Sequence, residues 1–160
     1  MSQRSTILAL AAMAMGASAA WGQTTNTVTR TTTLPLFGLG STETANVTVV
    51  NDATGTAASC TGSISFLNSA GTAIGSATTF TVGGGQTASA SLPFSSSTLT
   101  GVRGTIRASV TLNFSTSAVV PCSLQISVST FDTSTGATHL FLTSSAQSAA
   151  VLPFPGFPRL

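Results

Sequence analysis

Apolar and polar residues take turns along most of the chain with a period of two. The longest run is Val102 to Ser115, in which Val102, Gly104, Ile106, Ala108, Val110, Leu112 and Phe114 alternate with Arg103, Thr105, Arg107, Ser109, Thr111, Asn113 and Ser115. Successive side chains of a strand point to opposite faces, so this segment predicts a strand with one dry and one wet side. The same pattern recurs where Cys122, Leu124, Ile126 and Val128 alternate with Ser123, Gln125, Ser127 and Ser129. It recurs again where Cys60, Gly62, Ile64 and Phe66 alternate with Thr61, Ser63 and Ser65. One wet face per strand suits an antiparallel sheet solvated on one side.

Shorter stretches fill the remaining chain. Asn26 to Thr33 is Thr-rich and nearly free of apolar residues, which predicts an edge strand. Thr44 to Asn51 carries Ala45, Val47 and Val49 on one face. Thr72 to Val82 brings Ile74, Phe80 and Val82 into register, and a further strand carries Ala88, Ala90, Leu92 and Phe94. Asn68 to Gly71 and Gly83 to Gly85 are turn signals. Asp132 to Gly136 reads as a hairpin loop, with the Asp side chain capping its own turn and Gly free to take positive φ. A last strand is expected over Ala137 to Thr143, and the Pro-bearing stretch after Ser144 is expected to be extended or disordered. Seven or eight short strands at this spacing predict a single antiparallel, immunoglobulin-like β-sandwich over residues 23–144, with a tail over 145–160. No Trp follows Cys60, so the expectation concerns the architecture and not the antibody family.

Composition narrows the chemistry. Charged residues make up 5% of the 160 positions, against roughly 25% in an ordinary soluble domain. Lys and Tyr are absent, and Ser and Thr supply about a third of the chain, so hydroxyls keep the surface wet. Five Arg do not make the basic field that nucleic-acid binding requires, and no nucleic-acid partner is expected. The acid–base inventory is Glu43, Asp52, Asp132 and His139. With so few ligating groups, no cofactor and no metal site are expected.

Residues 1–22 read as a secretory signal peptide. Arg4 supplies the positive start, Ile7 to Met15 is a short apolar core, and small residues offer cleavage after Ala19 or after Gly22. The apolar run is shorter than the ~20 residues a bilayer needs, so the mature chain is expected to be secreted or periplasmic, with no membrane span. In an oxidising compartment, the even pair Cys60 and Cys122 is expected to form a disulfide. Both fall on the apolar faces of their strands, which puts the bond inside the packed layer.

Several segments are similar in wording to a known group. Leu34 to Leu39 followed by Glu43-Thr44-Ala45, then Ser59 to Phe66, Pro121 to Leu124, and Phe131 to Gly136 with Ala137-Thr138-His139, together resemble small, exported, uncharacterised bacterial proteins with a single immunoglobulin-like sandwich. The resemblance implies the compartment and a one-domain organisation, and no activity.

Two constellations are candidate sites. Asp132 and His139 flank the predicted hairpin loop, and a His–Asp pair orients a general base in hydrolases. No G-x-S-x-G elbow selects a nucleophile among the many Ser, and the plainer reading is a turn-capping Asp beside a surface His. Arg103 and Arg107 share the wet face of one strand, about 13 Å apart, which offers an anionic glycan or lipid two cations. The leading expectation is a non-catalytic structural, binding or adhesion module whose partner is a cell-surface or extracellular protein or glycan. The rival is a small secreted hydrolase centred on His139.

Overall fold

The computed structural model describes residues 27–53, 59–115 and 122–147. The expected export signal and residues 148–160 lie outside the described residues. Among the described residues nine strands follow one another: β1 (Thr27–Thr33), β2 (Phe37–Gly40), β3 (Glu43–Asn51), β4 (Cys60–Asn68), β5 (Ala73–Val82), β6 (Thr87–Pro93), β7 (Arg103–Ser115), β8 (Ser123–Asp132) and β9 (Thr138–Gln147). A single 3-10 turn at Phe94–Ser96 separates β6 from β7. No α-helix occurs among the described residues, and none of their elements is a helix long and apolar enough to cross a membrane.

The strands form two antiparallel sheets. One runs β1-β7-β4-β5 with β2 also on β7, and the other runs β6-β3-β8-β9. β1 and β2 lie end to end along one side of β7, opposite Ser109 to Ser115 and Arg103 to Ile106 respectively. Pro35 explains the break between them, since it has no N–H to give to a ladder. Leu34 holds the junction, with its side chain buried and its N–H donating to the Ala108 carbonyl at 2.9 Å. This split is why nine strands are found where the alternation predicts seven or eight. β2 is four residues long, too short for a period of two to stand out.

The sheets turn their apolar faces toward each other. Val47 and Val49 on β3, Ile64 on β4, Ile106, Val110 and Leu112 on β7, and Ile126 and Val128 on β8 are almost wholly removed from solvent. Each such side chain is worth about 1.5–3 kcal/mol relative to an exposed one. In β5 the expected Ile74, Phe80 and Val82 are buried, but Gly75 to Thr79 between them is exposed on both parities, where the ladder with β4 shifts. Val102 departs from the expected dry face: it precedes β7 and is 82% exposed. β9 runs to Gln147, three residues past the expected end of the domain at Ser144, because its ladder with β8 continues to Ser123.

Each end of β3 is tied to the opposite sheet. At the Asn51 end, the disulfide joins Cys60 at the start of β4 to Cys122 just before β8, with Cα atoms 5.6 Å apart and both side chains buried. Beside it the fully buried Asn51 amide donates to the Val82 carbonyl at 3.1 Å and accepts from the Ala53 N–H at 3.1 Å. The Glu43 end carries the candidate site.

Candidate functional site

Glu43 occupies the first position of β3 and shares the inward parity of Ala45, Val47 and Val49, so a carboxylate stands where the pattern calls for an apolar residue. Its side chain is nearly buried, and a buried carboxylate must be partnered to remain ionised. Two partners meet it. The Gly40 N–H, across the Ser41-Thr42 corner that carries the chain from one sheet to the other, donates to Oε2 at 2.7 Å. Nδ1 of His139 meets Oε1.

His139 reaches this position through an irregularity in the β8–β9 ladder. Thr130 pairs with Leu140 and Phe131 pairs with Thr138, so His139 is an extra residue bulged out of register. A bulge re-aims the side chain of the strand that carries it. β8 lies between β3 and β9, so the imidazole spans a strand to meet Glu43. About half of the His139 side chain stays exposed. A carboxylate only accepts, so Nδ1 carries the proton and Nε2 is left facing away from the pair. The hydrogen bond from His139 chiefly, then that from the Gly40 N–H, holds the Glu43 carboxyl below its ordinary range against the opposing cost of burial, with weaker help from the charges of His139 and Arg103.

Asp132 is engaged elsewhere. Its Oδ1 accepts from the backbone N–H groups of Ser134 at 2.8 Å and Thr135 at 3.0 Å, and Oδ2 accepts from the Thr42 hydroxyl at 2.7 Å. The Ser134 hydroxyl also donates to Oδ1, at 2.5 Å, and this bond first, then that from the Thr42 hydroxyl and those from the two amides, holds the carboxyl far below the usual carboxylate range. The anticipated Asp132–His139 approach is therefore replaced: Asp132 caps the loop, and Glu43 orients the imidazole. The loop is pinned to the β2–β3 corner as well, since both the N–H and the hydroxyl of Thr133 donate to the Thr42 carbonyl, at 3.0 and 2.9 Å. The sequence offered Glu43 only as one of four acid–base groups, since the strand that carries it was expected to begin at Thr44. Its pairing with His139 was not legible, because the bulge that turns His139 toward it leaves no mark in the alternation.

Arg103 and Arg107 share a face of β7 and part company at their side chains. The Arg103 guanidinium lies over Gly38 of β2, where a Cβ would come within 2.3 Å of its Nε. Arg107 reaches to the other side of β7, toward Gly71 in the β4–β5 turn, and its Nε is buried without a hydrogen-bond partner. No cluster of three or more His, Cys, Asp or Glu able to hold a metal occurs among the described residues.

The arrangement is thus an oriented, half-exposed imidazole at the rim of the sandwich, held by a near-buried carboxylate beside a stapled pair of loops. No protein-family profile matches the chain, and no curated protein or solved structure matches it either.

Proposed function

We propose that the protein is an exported, non-catalytic β-sandwich that works outside the cytoplasm as a structural or binding and adhesion module. The observation that carries this reading is the fate of its few reactive groups. Glu43 is spent on Gly40 and His139, Asp132 on its own loop and Thr42, and the two Cys on each other. Chemistry-bearing side chains arranged this way hold a scaffold together. The immunoglobulin-like topology expected from the strand spacing belongs to the same proposal. A disulfide persists in oxidising surroundings, which agrees with an extracytoplasmic address. The signal-like residues 1–22 extend that agreement to secretion or the periplasm. A hydroxyl-rich, charge-poor exterior fits a neutral partner, a cell-surface or extracellular protein or glycan, better than a polyanion.

Expression of the full chain with its own N-terminus tests the proposal. The expected product is recovered outside the cytoplasm, lacks residues 1–22 and resists alkylation until reduced. It retains ligands on a panel of neutral glycans or surface proteins, and it turns over none of a set of esters, glycosides and peptides.

One observation favours a second reading, a small hydrolase centred on His139. A carboxylate on Nδ1 with Nε2 turned outward is the posture of a general base. A hydrolytic activity present in the native protein and lost in His139→Ala replaces the first reading with this one.

A further inference from the structure

Phe37, Phe66 and Phe80 are buried on the inward faces of their strands, where alternation puts apolar rings. Two other rings stand on the opposite side. Phe131 of β8 shares the parity of Ser127 and Ser129, and Phe141 of β9 shares that of Thr143. Both therefore lie on the outer, solvated face of the β6-β3-β8-β9 sheet. Phe141 pairs with Ser129, two positions from Phe131, which makes the two rings diagonal neighbours with Cα atoms about 7–8 Å apart. The ladder is unshifted from Leu140 onward, so the bulge at His139 leaves the Phe141–Ser129 pair in place. Phe131 is half-buried, and Phe141 is 66% exposed. A ring so far out of the packed layer contributes little to it.

Uncharged polar groups continue the line from Phe141. Across the sheet Phe141, Ser129, Asn46 and Ser91 are successive partners on β9, β8, β3 and β6, a row about 14 Å long at the usual strand spacing. The Ser91 hydroxyl donates to Asn46 Oδ1 at 3.0 Å, and Asn46 Nδ2 donates to the Thr48 hydroxyl at 3.4 Å. These bonds fix the amide in the row and leave its second N–H for a ligand. No outward position in register on these four strands carries a charge. The outer face of the other sheet is different, for it carries Arg103 and Arg107 and no aromatic ring.

We infer that this face binds a neutral polysaccharide, an extended chain of equatorially linked pyranoses, with Phe141 and Phe131 as stacking platforms and Ser129, Asn46 and Ser91 as hydrogen-bonding groups. The inference rests on the binding role proposed above and gives it a site. The C–H face of a pyranose is apolar, and its rim carries hydroxyls that both donate and accept. An aromatic ring covers the first, and a neighbouring row of amide and hydroxyl groups meets the second. Two rings side by side engage consecutive sugars of one chain. The uncharged face gives an anionic chain no attraction, so the occupant is neutral. A protein partner is ordinarily anchored by Trp, Tyr or Arg, and none of these stands on this face.

Titration calorimetry tests the inference, with hydroxyethyl cellulose, glycol chitin and galactomannan as neutral β-linked probes and with soluble starch and polygalacturonate as controls. The native protein is expected to bind at least one neutral β-linked polymer and neither control. F141S is expected to weaken that binding at least tenfold, and N46A several-fold, with far-UV circular dichroism unchanged. F141W is expected to keep it, and T79A, on the outer face of the other sheet, to leave it as it was. A native protein that binds none of the neutral polymers overturns the inference, and retention of surface proteins then decides whether the binding role itself stands. Glycan binding undiminished in F141S overturns the site and leaves the binding role intact. Starch or polygalacturonate bound as tightly as the β-linked polymers overturns the assigned ligand. A surface protein retained by the native chain and lost in F141S, with no polysaccharide bound, replaces the glycan with a protein partner.

Discussion

The Glu43 carboxylate and the His139 imidazole, 96 residues apart in the chain, meet across the strand that separates their own two strands. The pair joins the edge strand β9 to the centre of its sheet. Through the Gly40 N–H on Oε2, it also joins both to the other sheet.

A group whose carboxyl is held below its ordinary value stabilises the fold above that value and ceases to do so in acid. Glu43 is lowered from 4.5, so its contribution is complete above about pH 4.5 and disappears as the pH falls through the lowered folded value. Stability should therefore decline on the acid side, and Glu43→Gln should flatten that decline. At neutral pH the same substitution should cost about 1.5–3 kcal/mol, the usual worth of a hydrogen bond to a charged group. Urea midpoints at stepped pH for the native and substituted proteins check both outcomes.

The disulfide closes a sequence separation of 62 residues between the two sheets. In the chain-entropy picture, closing a loop of that size in the unfolded state is worth about 4 kcal/mol. Reduction, or a double substitution of Cys60 and Cys122 by Ser, is expected to lower the denaturation midpoint by a corresponding amount. Asn51 and the packed core should hold the sandwich shape in the meantime. Oxidised and reduced samples compared in guanidinium, with alkylation as the check on redox state, give the measurement.

The strands with long alternation, β4, β7 and β8, were legible because one face of each is buried against the other sheet, and burial on one face writes a period of two into the residues. The burial of the Cys60–Cys122 bond followed from the same periodicity. β2 was not legible, since four residues ending in Gly38-Leu39-Gly40 carry too little pattern to separate from a turn. The partnership at the candidate site was hidden for a different reason. Asp132 and His139 are close in sequence and invite pairing, yet the loop amides of Ser134 and Thr135 claim the Asp first. A one-residue bulge then aims the His elsewhere. Alternation reports which face a residue is on, and it does not report a slip in a ladder.

Gly62 illustrates a position where nothing larger fits. It pairs with Phe80 on one side and Leu112 on the other, and the Phe80 ring folds over it. A Cβ added there would lie 2.2 Å from the Thr111 carbonyl oxygen and 2.7 Å from Phe80 Cζ. The carbonyl belongs to the β4–β7 ladder and cannot withdraw without breaking it. Gly62→Ala should therefore destabilise the protein by about 1–3 kcal/mol, as overpacked cores do. Thr111→Ala, on the solvated face of the neighbouring β7, should stay within about 0.5 kcal/mol of the native protein. Paired denaturation curves decide between close packing at Gly62 and a tolerant site.

Asp132 offers a test of loop order that does not depend on global unfolding. One carboxylate oxygen gathers the Ser134 and Thr135 amides, and the other takes the Thr42 hydroxyl, so the loop and the β2–β3 corner share a single anchor. Asp132→Ala removes every one of these acceptors. Asp132→Asn keeps a carbonyl oxygen for the amides and exchanges the charge for an amide group. Hydrogen exchange at Ser134 and Thr135 should quicken markedly in the Ala variant and only modestly in the Asn variant, with Ile126 and Val128 in the middle of β8 unaffected. The carboxyl is held far below its ordinary value, so the native loop should keep its protection in mild acid and lose it only once Asp132 itself takes up a proton. Equal exchange in the native and Ala proteins at neutral pH would show that the Thr133 bonds to Thr42 hold the loop without the carboxylate.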